Sequence, residues 1–180
     1  MSLSTIGIAG TSGFGKIGQI VTTTFTGTES TQTEATSDAY TDSSVAATIT
    51  PTATSSKIMV MCTINAGSTD SSNGVHVGRF TQAISGGSTT AVFVGAAASN
   101  RVLTSSGRGT ASTNENTILT HGFNFVLTPS TTSAVTVTYQ FTARGASGTN
   151  TVYINRSATD SDTTEYQRTA SSITLMEILA

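Results

Sequence analysis

Charge and aromatic surface are scarce in this chain. Of its 180 residues, 10% are charged, 6% are aromatic and none is tryptophan. The formal net charge of −2 supplies no basic field for phosphate groups, so we expect no nucleic-acid partner. Apolar runs stay well short of the ~18 residues that a membrane span needs, and no signal segment opens the sequence. We therefore expect synthesis in a cytoplasm and no membrane insertion.

Residues for covalent, redox or metal chemistry are also few. The single cysteine, Cys62, excludes an internal disulfide, and its apolar neighbours predict a buried thiol. The two histidines, His76 and His121, fall in predicted strands without the H-x-H or H-x-x-x-H spacing of a metal site. A G-x-S-x-G motif for a serine nucleophile is absent as well. We expect no enzyme activity and no cofactor, and we assign both histidines structural roles. A hydrolase stays an alternative that turnover lost in His76→Ala or His121→Ala would revive.

Serine and threonine occupy much of the surface that charged residues usually cover. The chain has 25 Ser and 38 Thr, together 63 residues, and a further 17 Gly. Disordered segments often have this composition, but the apolar residues here cluster in runs with a period of two. Threonine also favours strands. The sequence therefore predicts one folded domain rich in β-structure.

The run from Ala134 to Ala143 shows this alternation most clearly. Val135, Val137, Tyr139 and Phe141 fall on one face, and threonines with a glutamine fall on the other. Similar short runs, separated by Gly, Ser, Asn and Pro, predict eight to ten strands and no helix. This pattern is typical of an antiparallel β-sandwich, and we predict one of jelly-roll type. The predicted strands are Gln19–Phe25, Val45–Thr50, Lys57–Ile64, Val75–Ala83, Ala91–Val94, Thr117–Thr128, Ala134–Ala143, Asn150–Ser157 and Ser172–Ala180, with an edge strand near Ala39 and Tyr40.

Two predicted strands are apolar on both faces. In Lys57–Ile64 the methionines Met59 and Met61 lie opposite an already apolar face, and in Ser172–Ala180 the same holds for Met176 and Ile178. A single small sandwich buries one face of such strands, so the second face needs another cover. These four residues are the predicted oligomer interface.

The first 16 residues differ from the remainder. They are rich in glycine and too short to fold alone, so we predict an N-terminal docking arm at residues 1–16 and a sandwich domain at 17–180. The arm and its junction carry four apolar anchors, Ile6, Ile8, Phe14 and Ile17. Gly13-Phe-Gly-Lys-Ile-Gly18 matches the dinucleotide fingerprint, but a β-branched run follows it where that motif requires a helix.

Several polar groups near the C-terminus have both a structural and a functional interpretation. Asp160, Asp162 and Glu165 could supply oxygen ligands to calcium, although a solvated acidic loop is the simpler interpretation. Asn155-Arg-Ser157 matches the glycosylation pattern, which means little without a secretory signal. For recognition of a host-surface glycan, the candidate receptor residues are Arg101, Arg108, Tyr153 and Tyr166, with Tyr40 and Asn100 as further loop candidates.

The C-terminal pattern resembles a known family. Thr151-Val-Tyr-Ile-Asn-Arg-Ser157, the acidic loop, Tyr166-Gln-Arg168 and Ser172-Ile-Thr-Leu-Met-Glu-Ile178 are similar to the C-terminal module of structural proteins of tailed bacteriophages. Many of these are tail-fibre or fibre-like proteins, often from phages of cyanobacteria and other marine bacteria. Thr52-Ala-Thr-Ser-Ser-Lys-Ile-Met-Val60 resembles a strand entry of the same family. The resemblance implies a homotrimeric β-sandwich on the particle surface and carries over no catalytic motif.

From this resemblance we expect a virion protein that is made in the host cytoplasm. The leading hypothesis is a short tail-fibre subunit whose arm docks to a tail or baseplate protein and whose sandwich faces the host. The alternative is a head-decoration or cement protein bound to the major capsid protein. A carbohydrate-binding module is a third hypothesis, weakened by the scarcity of aromatic residues.

Overall fold

The structure is a computed structural model. It describes residues 16–34, 39–69, 75–99, 101–106, 116–144 and 149–179. Within those ranges the secondary structure consists of ten β-strands joined by turns, and none of the described segments is a helix that could span a bilayer. The ten strands are β1 (Lys16–Phe25), β2 (Glu29–Glu34), β3 (Thr41–Ile49), β4 (Lys57–Ser68), β5 (Val75–Ile84), β6 (Thr89–Val92), β7 (Leu119–Leu127), β8 (Val135–Arg144), β9 (Thr149–Ile154) and β10 (Ser171–Leu179).

Eight of these strands form two antiparallel four-stranded sheets. Sheet A has the order β1-β10-β4-β7, and sheet B has the order β3-β8-β5-β6. If the eight strands are counted along the chain, the two orders are 1-8-3-6 and 2-7-4-5, which is the strand order of a jelly roll. The predicted fold class, an all-β antiparallel sandwich of jelly-roll type, is confirmed.

The remaining two strands form a small ribbon that extends sheet A. β2 pairs with β9 along its whole length, and β9 pairs with the last residues of β4, from Ala66 to Ser68. β10 and β9 share one edge of β4, because β7 occupies the other edge. Gly67 permits this crossing, since a Cβ atom there would lie 2.6 Å from the carbonyl oxygen of Arg156.

The core lies between the inner faces of the two sheets. Alternation along β8 places Val135, Val137, Tyr139 and Phe141 inward, as predicted. Phe80 at the centre makes edge or tilted ring contacts with three other aromatic residues. The fully buried side chains of this core include Val45, Ile49, Ile58, Val60, Ile64, Phe80, Val135, Val137, Tyr139, Val152, Ile154, Ile173 and Leu175.

The two ends of the sandwich differ in their connections. One end, which we call the turn end, has the connections at residues 50–56, 85–88 and 128–134. At the opposite end, the loop end, β1, β4 and β8 end and β5, β7 and β10 begin. β1 starts beside the end of β10 and the start of β4, so the chain enters the sandwich at the turn end and leaves it there.

Three details differ from the sequence prediction. The predicted edge strand near Ala39 and Tyr40 and the predicted strand Val45–Thr50 are a single strand, β3, which starts at Thr41 and forms an edge of sheet B. Tyr40 itself packs beneath the Arg79 guanidinium, 4.1 Å from the ring centroid. β2 lies in a segment that we predicted to be loop, since its polar side chains give no apolar alternation. β4 continues to Ser68, four residues beyond the predicted end.

Candidate functional site

The most distinctive surface of the described structure is an apolar band on the outer face of sheet A. Alternation along β4 and β10 turns one set of side chains into the core and the other set outward. The outward set contains all four residues of the predicted oligomer interface. We call this surface the outer apolar band; its members are Ile17, Ile20, Met59, Met61, Val126, Met176 and Ile178.

The strand register places four of these side chains in one continuous row. Ile20 pairs with Met176, Met176 pairs with Met59, and Met59 pairs with Val126. The row therefore crosses all four strands of sheet A, a distance of about 15 Å at the usual strand spacing. Ile17 beside Ile178 extends it towards the turn end, and Met61 extends it from β4 towards the loop end.

The band is open to solvent in the isolated chain. Ile20 is 56% exposed, Ile17 53% and Val126 50%, while the methionines are half-buried by their neighbours. Towards the loop end the outer face becomes hydroxyl-rich, with Thr22 and Thr174 joined by a 3.0 Å hydrogen bond. The apolar side chains are thus concentrated in one half of the face.

The outer face of sheet B has a different character. Arg79 donates to Gln140 at 2.7 Å, and Gln140 donates to Asp42 at 2.6 Å. Thr48 and Thr136 share a 2.8 Å hydrogen bond nearer the turn end. These side chains form hydrogen bonds with one another or face water. The outer face of sheet B is therefore polar, whereas part of the outer face of sheet A is apolar.

A buried carboxylate fixes the turn end below the band. Glu177 lies on the core side of β10 and is inaccessible to solvent. It accepts hydrogen bonds from the Thr52 amide at 2.6 Å, the Thr52 hydroxyl at 2.8 Å and the Gln19 side-chain amide at 3.0 Å. Burial raises the pKa of Glu177, but these hydrogen bonds outweigh burial and lower the pKa to about 2. The carboxylate therefore ties β1, β10 and the 50–56 turn together.

Sequence reasoning found part of the band and missed the remainder. Met59, Met61, Met176 and Ile178 were predicted, and the structure brings them together. Ile17 was assigned to the arm junction, whereas it lies in β1 beside Ile178; Ile6, Ile8 and Phe14 lie outside the described residues. Ile20 and Val126 were not predicted, although each alternates with inward-facing neighbours in its strand, a signal that the sequence contains.

The candidate receptor residues are distributed over the loop end and one side. Tyr153 on β9 is half-buried, and the Arg156 guanidinium covers its ring at 3.7 Å from the centroid. Tyr166 lies in the β9–β10 connection and is also half-buried. Arg101 is exposed in the connection that leaves β6, and Arg108 lies outside the described residues. Tyr153 thus belongs to a strand and Tyr166 to the connection that follows it, and no contact among the described residues joins them to Arg101.

One carboxylate of the predicted acidic loop, that of Asp160, is engaged in structural contacts. Arg168 makes two hydrogen bonds to Asp160, at 2.7 and 3.2 Å, and Arg156 approaches the same carboxylate at 3.9 Å. Across the described ranges, no group of three or more His, Cys, Asp or Glu side chains is arranged to hold a metal ion. Asp160 therefore stabilises the loop through its contacts with Arg168 and Arg156.

Asn155 joins four segments at the loop end. Its side-chain amide donates to the carbonyls of Phe25 and Gly27, and its carbonyl oxygen accepts from the Ser171 hydroxyl at 2.6 Å. The residue is fully buried and has a positive φ of 64°, a conformation that asparagine tolerates better than most residues. The glycosylation-like triplet is therefore a structural junction, with its side chain inaccessible to a glycan.

The two histidines face each other inside the sandwich near the loop end. His76 on β5 and His121 on β7 have ring centroids 4.8 Å apart, and Nε2 of His76 lies 2.8 Å from the Tyr139 hydroxyl. Burial and the neighbouring His121 lower the pKa of His76 to about 3, and burial lowers the pKa of His121. Both histidines lie in strands, as the sequence predicted, and both rings face the interior of the sandwich.

Comparisons with known proteins give a distant structural match. No protein-family model and no curated protein matches the chain. Among solved structures, those of infectious bursal disease virus Gx strain and Gt strain are similar over 91% and 90% of this chain, at 12% and 14% identity and TM-scores of 0.44 and 0.45. The VP2 subviral particle of that virus matches over 89%, at 12% identity and a TM-score of 0.44. This chain spans about two fifths of the viral chains, with 39%, 38% and 42% covered. At such values the match assigns no function to this chain.

Proposed function

We propose that this chain is a structural subunit of a tailed-phage virion, a short tail-fibre protein that assembles as a homotrimer through the outer apolar band. The observation that carries the proposal is the row of Ile20, Met176, Met59 and Val126 across sheet A. Such a row has no role in a solitary sandwich, whose core lies on the other side of the sheet. A subunit that packs against its copies needs a surface of this kind.

The energetics favour self-association. Burying a large apolar side chain completely contributes about 1.5–3 kcal/mol, so each half-exposed member of the band adds about 1 kcal/mol when covered. Several members together supply a few kcal/mol per subunit. The central row contains no charged side chain, so copies of the band can meet without unpaired charges.

The placement of the ends supports a fibre role. The chain enters β1 at the turn end, and β9 with Tyr153 and the β9–β10 connection with Tyr166 lie at the loop end. A docking arm at residues 1–16 would therefore attach one end of the sandwich to a tail or baseplate protein. The opposite end would face the host, where loops are the usual sites of recognition. A host-surface glycan is the proposed ligand of that end.

The location of the chain on intact particles tests this proposal. Immunogold labelling or cryo-electron microscopy should find it at the tail tip or baseplate. Density on three-fold or quasi-three-fold positions of the capsid would overturn the fibre role and make the chain a head-decoration protein. Absence from purified particles would overturn the virion role altogether.

A second experiment tests the arm separately from the sandwich. Deleting residues 1–15 should leave a folded oligomer that no longer joins the particle. A deletion variant that still joins particles would contradict the docking role of the arm.

A further inference from the structure

The interior of the loop end contains a polar cluster that the proposed assembly role does not use. His76 is 5% exposed, and its ring lies between the two sheets against His121 and Tyr139. The Ser106 hydroxyl lies next to this cluster, because it accepts from the Gly78 amide at 2.9 Å and Gly78 packs against the Tyr139 hydroxyl. Each of the two sheets contributes one histidine.

Two nitrogen atoms of this cluster are buried without a partner. Nδ1 of His76 and Nε2 of His121 are inaccessible to water, and neither makes a hydrogen bond to the described residues. A neutral imidazole tolerates this arrangement, since the unpartnered nitrogen of each ring can be the one that carries no proton. A protonated imidazole does not, because both of its N–H groups then need acceptors.

We propose that the facing imidazoles of His76 and His121 act as an acid-sensitive latch, which opens the loop end of the sandwich when either ring is protonated. Protonation of His76 would leave a charged N–H group at Nδ1 with no acceptor. Relief requires water, which enters when the first residues of β5 move away from β7.

The groups around the pair do not compensate the added charge. β8 contributes the Tyr139 hydroxyl, whose pKa is raised by burial, and β4 contributes the Cys62 thiol, whose pKa burial raises to about 12. Both groups are neutral in the acid range. Burial and the neighbouring His121 lower the pKa of His76, and burial lowers the pKa of His121. No described carboxylate raises the pKa of either ring.

The pH range of the latch follows from the sign of the shift. The folded pKa of His76 is about 3, below the ordinary 6.5, so the closed state binds fewer protons than the open state. Closure is fully favourable above pH 6.5 and weakens as the pH falls towards 3. One titrating histidine raises the open fraction about fivefold over the first pH unit below 6.5 and close to tenfold for each further unit within that window, and two raise it further.

The turn end has a different acid limit. The pKa of Glu177 is about 2, below its ordinary value of 4.5, so the carboxylate stays charged and keeps its hydrogen bonds in the upper part of the pH range over which the histidines titrate. Between pH 6.5 and 4.5 the loop end should therefore open while the turn end stays closed. This difference makes the latch a local device.

Amide hydrogen exchange of the full chain at pH 6.5, 5.5 and 4.5, corrected for intrinsic exchange rates, tests the latch. Protection of residues 76–80 and 121–125 should fall about five- to tenfold per pH unit from one titrating ring, and more if both rings titrate, while protection of residues 175–178 stays level. A His76→Gln/His121→Gln variant should lose this pH dependence. His121→Gln alone, at the less buried position, serves if the double variant does not fold, and it should reduce the slope.

Two results would overturn the latch. Protection that falls in parallel at both ends would show that acid unfolds the whole domain. A slope that is unchanged in the histidine variants would show that another group senses the acid. The readout concerns the sandwich alone, so failure of the virion role would leave its outcome unaffected.

Discussion

Substituting Glu177 by glutamine tests how the turn end is held together. The carboxylate accepts three hydrogen bonds between 2.6 and 3.0 Å, two from Thr52 and one from Gln19. A glutamine has nearly the same shape, but its NH₂ group must face at least one of these donors. Hydrogen bonds to charged groups contribute roughly 1.5–3 kcal/mol each, so we expect Glu177→Gln to lower the free energy of unfolding by about 2–4 kcal/mol at pH 7. For a chain of this size, that loss lowers Tm by about 5–15 °C.

The pH dependence of this loss provides the sharper test. The folded pKa of Glu177 is about 2 and lies below its ordinary 4.5, so its stabilisation is complete above pH 4.5 and is lost as the pH falls towards 2. Urea unfolding followed by circular dichroism should show a difference between wild type and Glu177→Gln that shrinks across this range. Glu165→Gln, at an exposed loop position, is the control and should match wild type. A Glu177→Gln protein as stable as wild type at pH 7 would refute the reasoning.

Two further substitutions have clear expected outcomes in thermal unfolding. Gly78→Ala should destabilise the fold by about 2–4 kcal/mol, because the added Cβ would overlap the Tyr139 hydroxyl. The control, Gly122→Ala, has no atom within 4 Å of its added Cβ and should change stability by less than about 0.5 kcal/mol. Equal effects of the two substitutions would contradict the packing around Gly78. Asn155→Ala should lower the free energy of unfolding by about 3 kcal/mol, because it leaves buried carbonyl groups unpaired at the loop end. Asn124→Ala, at an exposed position, is the control and should have almost no effect. An Asn155→Ala protein with the wild-type Tm would contradict the junction role.

Much of the fold follows from alternation in the sequence. In runs such as Ala134–Ala143 the alternation of apolar and polar residues predicts which face is buried, and the structure confirms that prediction. β2 could not be found in this way, because all its side chains are polar and its position depends on pairing with β9. The sandwich topology likewise rests on contacts between distant segments, which no local pattern contains.

The candidate surface was predictable only in part. The methionines could be assigned to the band because their strands are apolar on both faces. The continuous row also contains Ile20 and Val126, and their neighbours in the row depend on the strand register. Glu177 falls on the apolar face of β10 by the same alternation, yet its partners Thr52 and Gln19 are more than 120 residues away in sequence. The role of Asn155 depends on the positions of three other segments, and its sequence triplet suggested different chemistry.

The most direct test of the account is the mass of the full chain in solution. Sedimentation equilibrium should give three times the 18.3 kDa of one chain. Ile20→Asp, which places a charge in the outer apolar band, should yield folded monomers. Thr48→Asp makes a similar change on an edge strand of the polar sheet B and should remain trimeric. A monomeric wild type, or an Ile20→Asp protein that assembles as well as Thr48→Asp, would contradict assembly through the band.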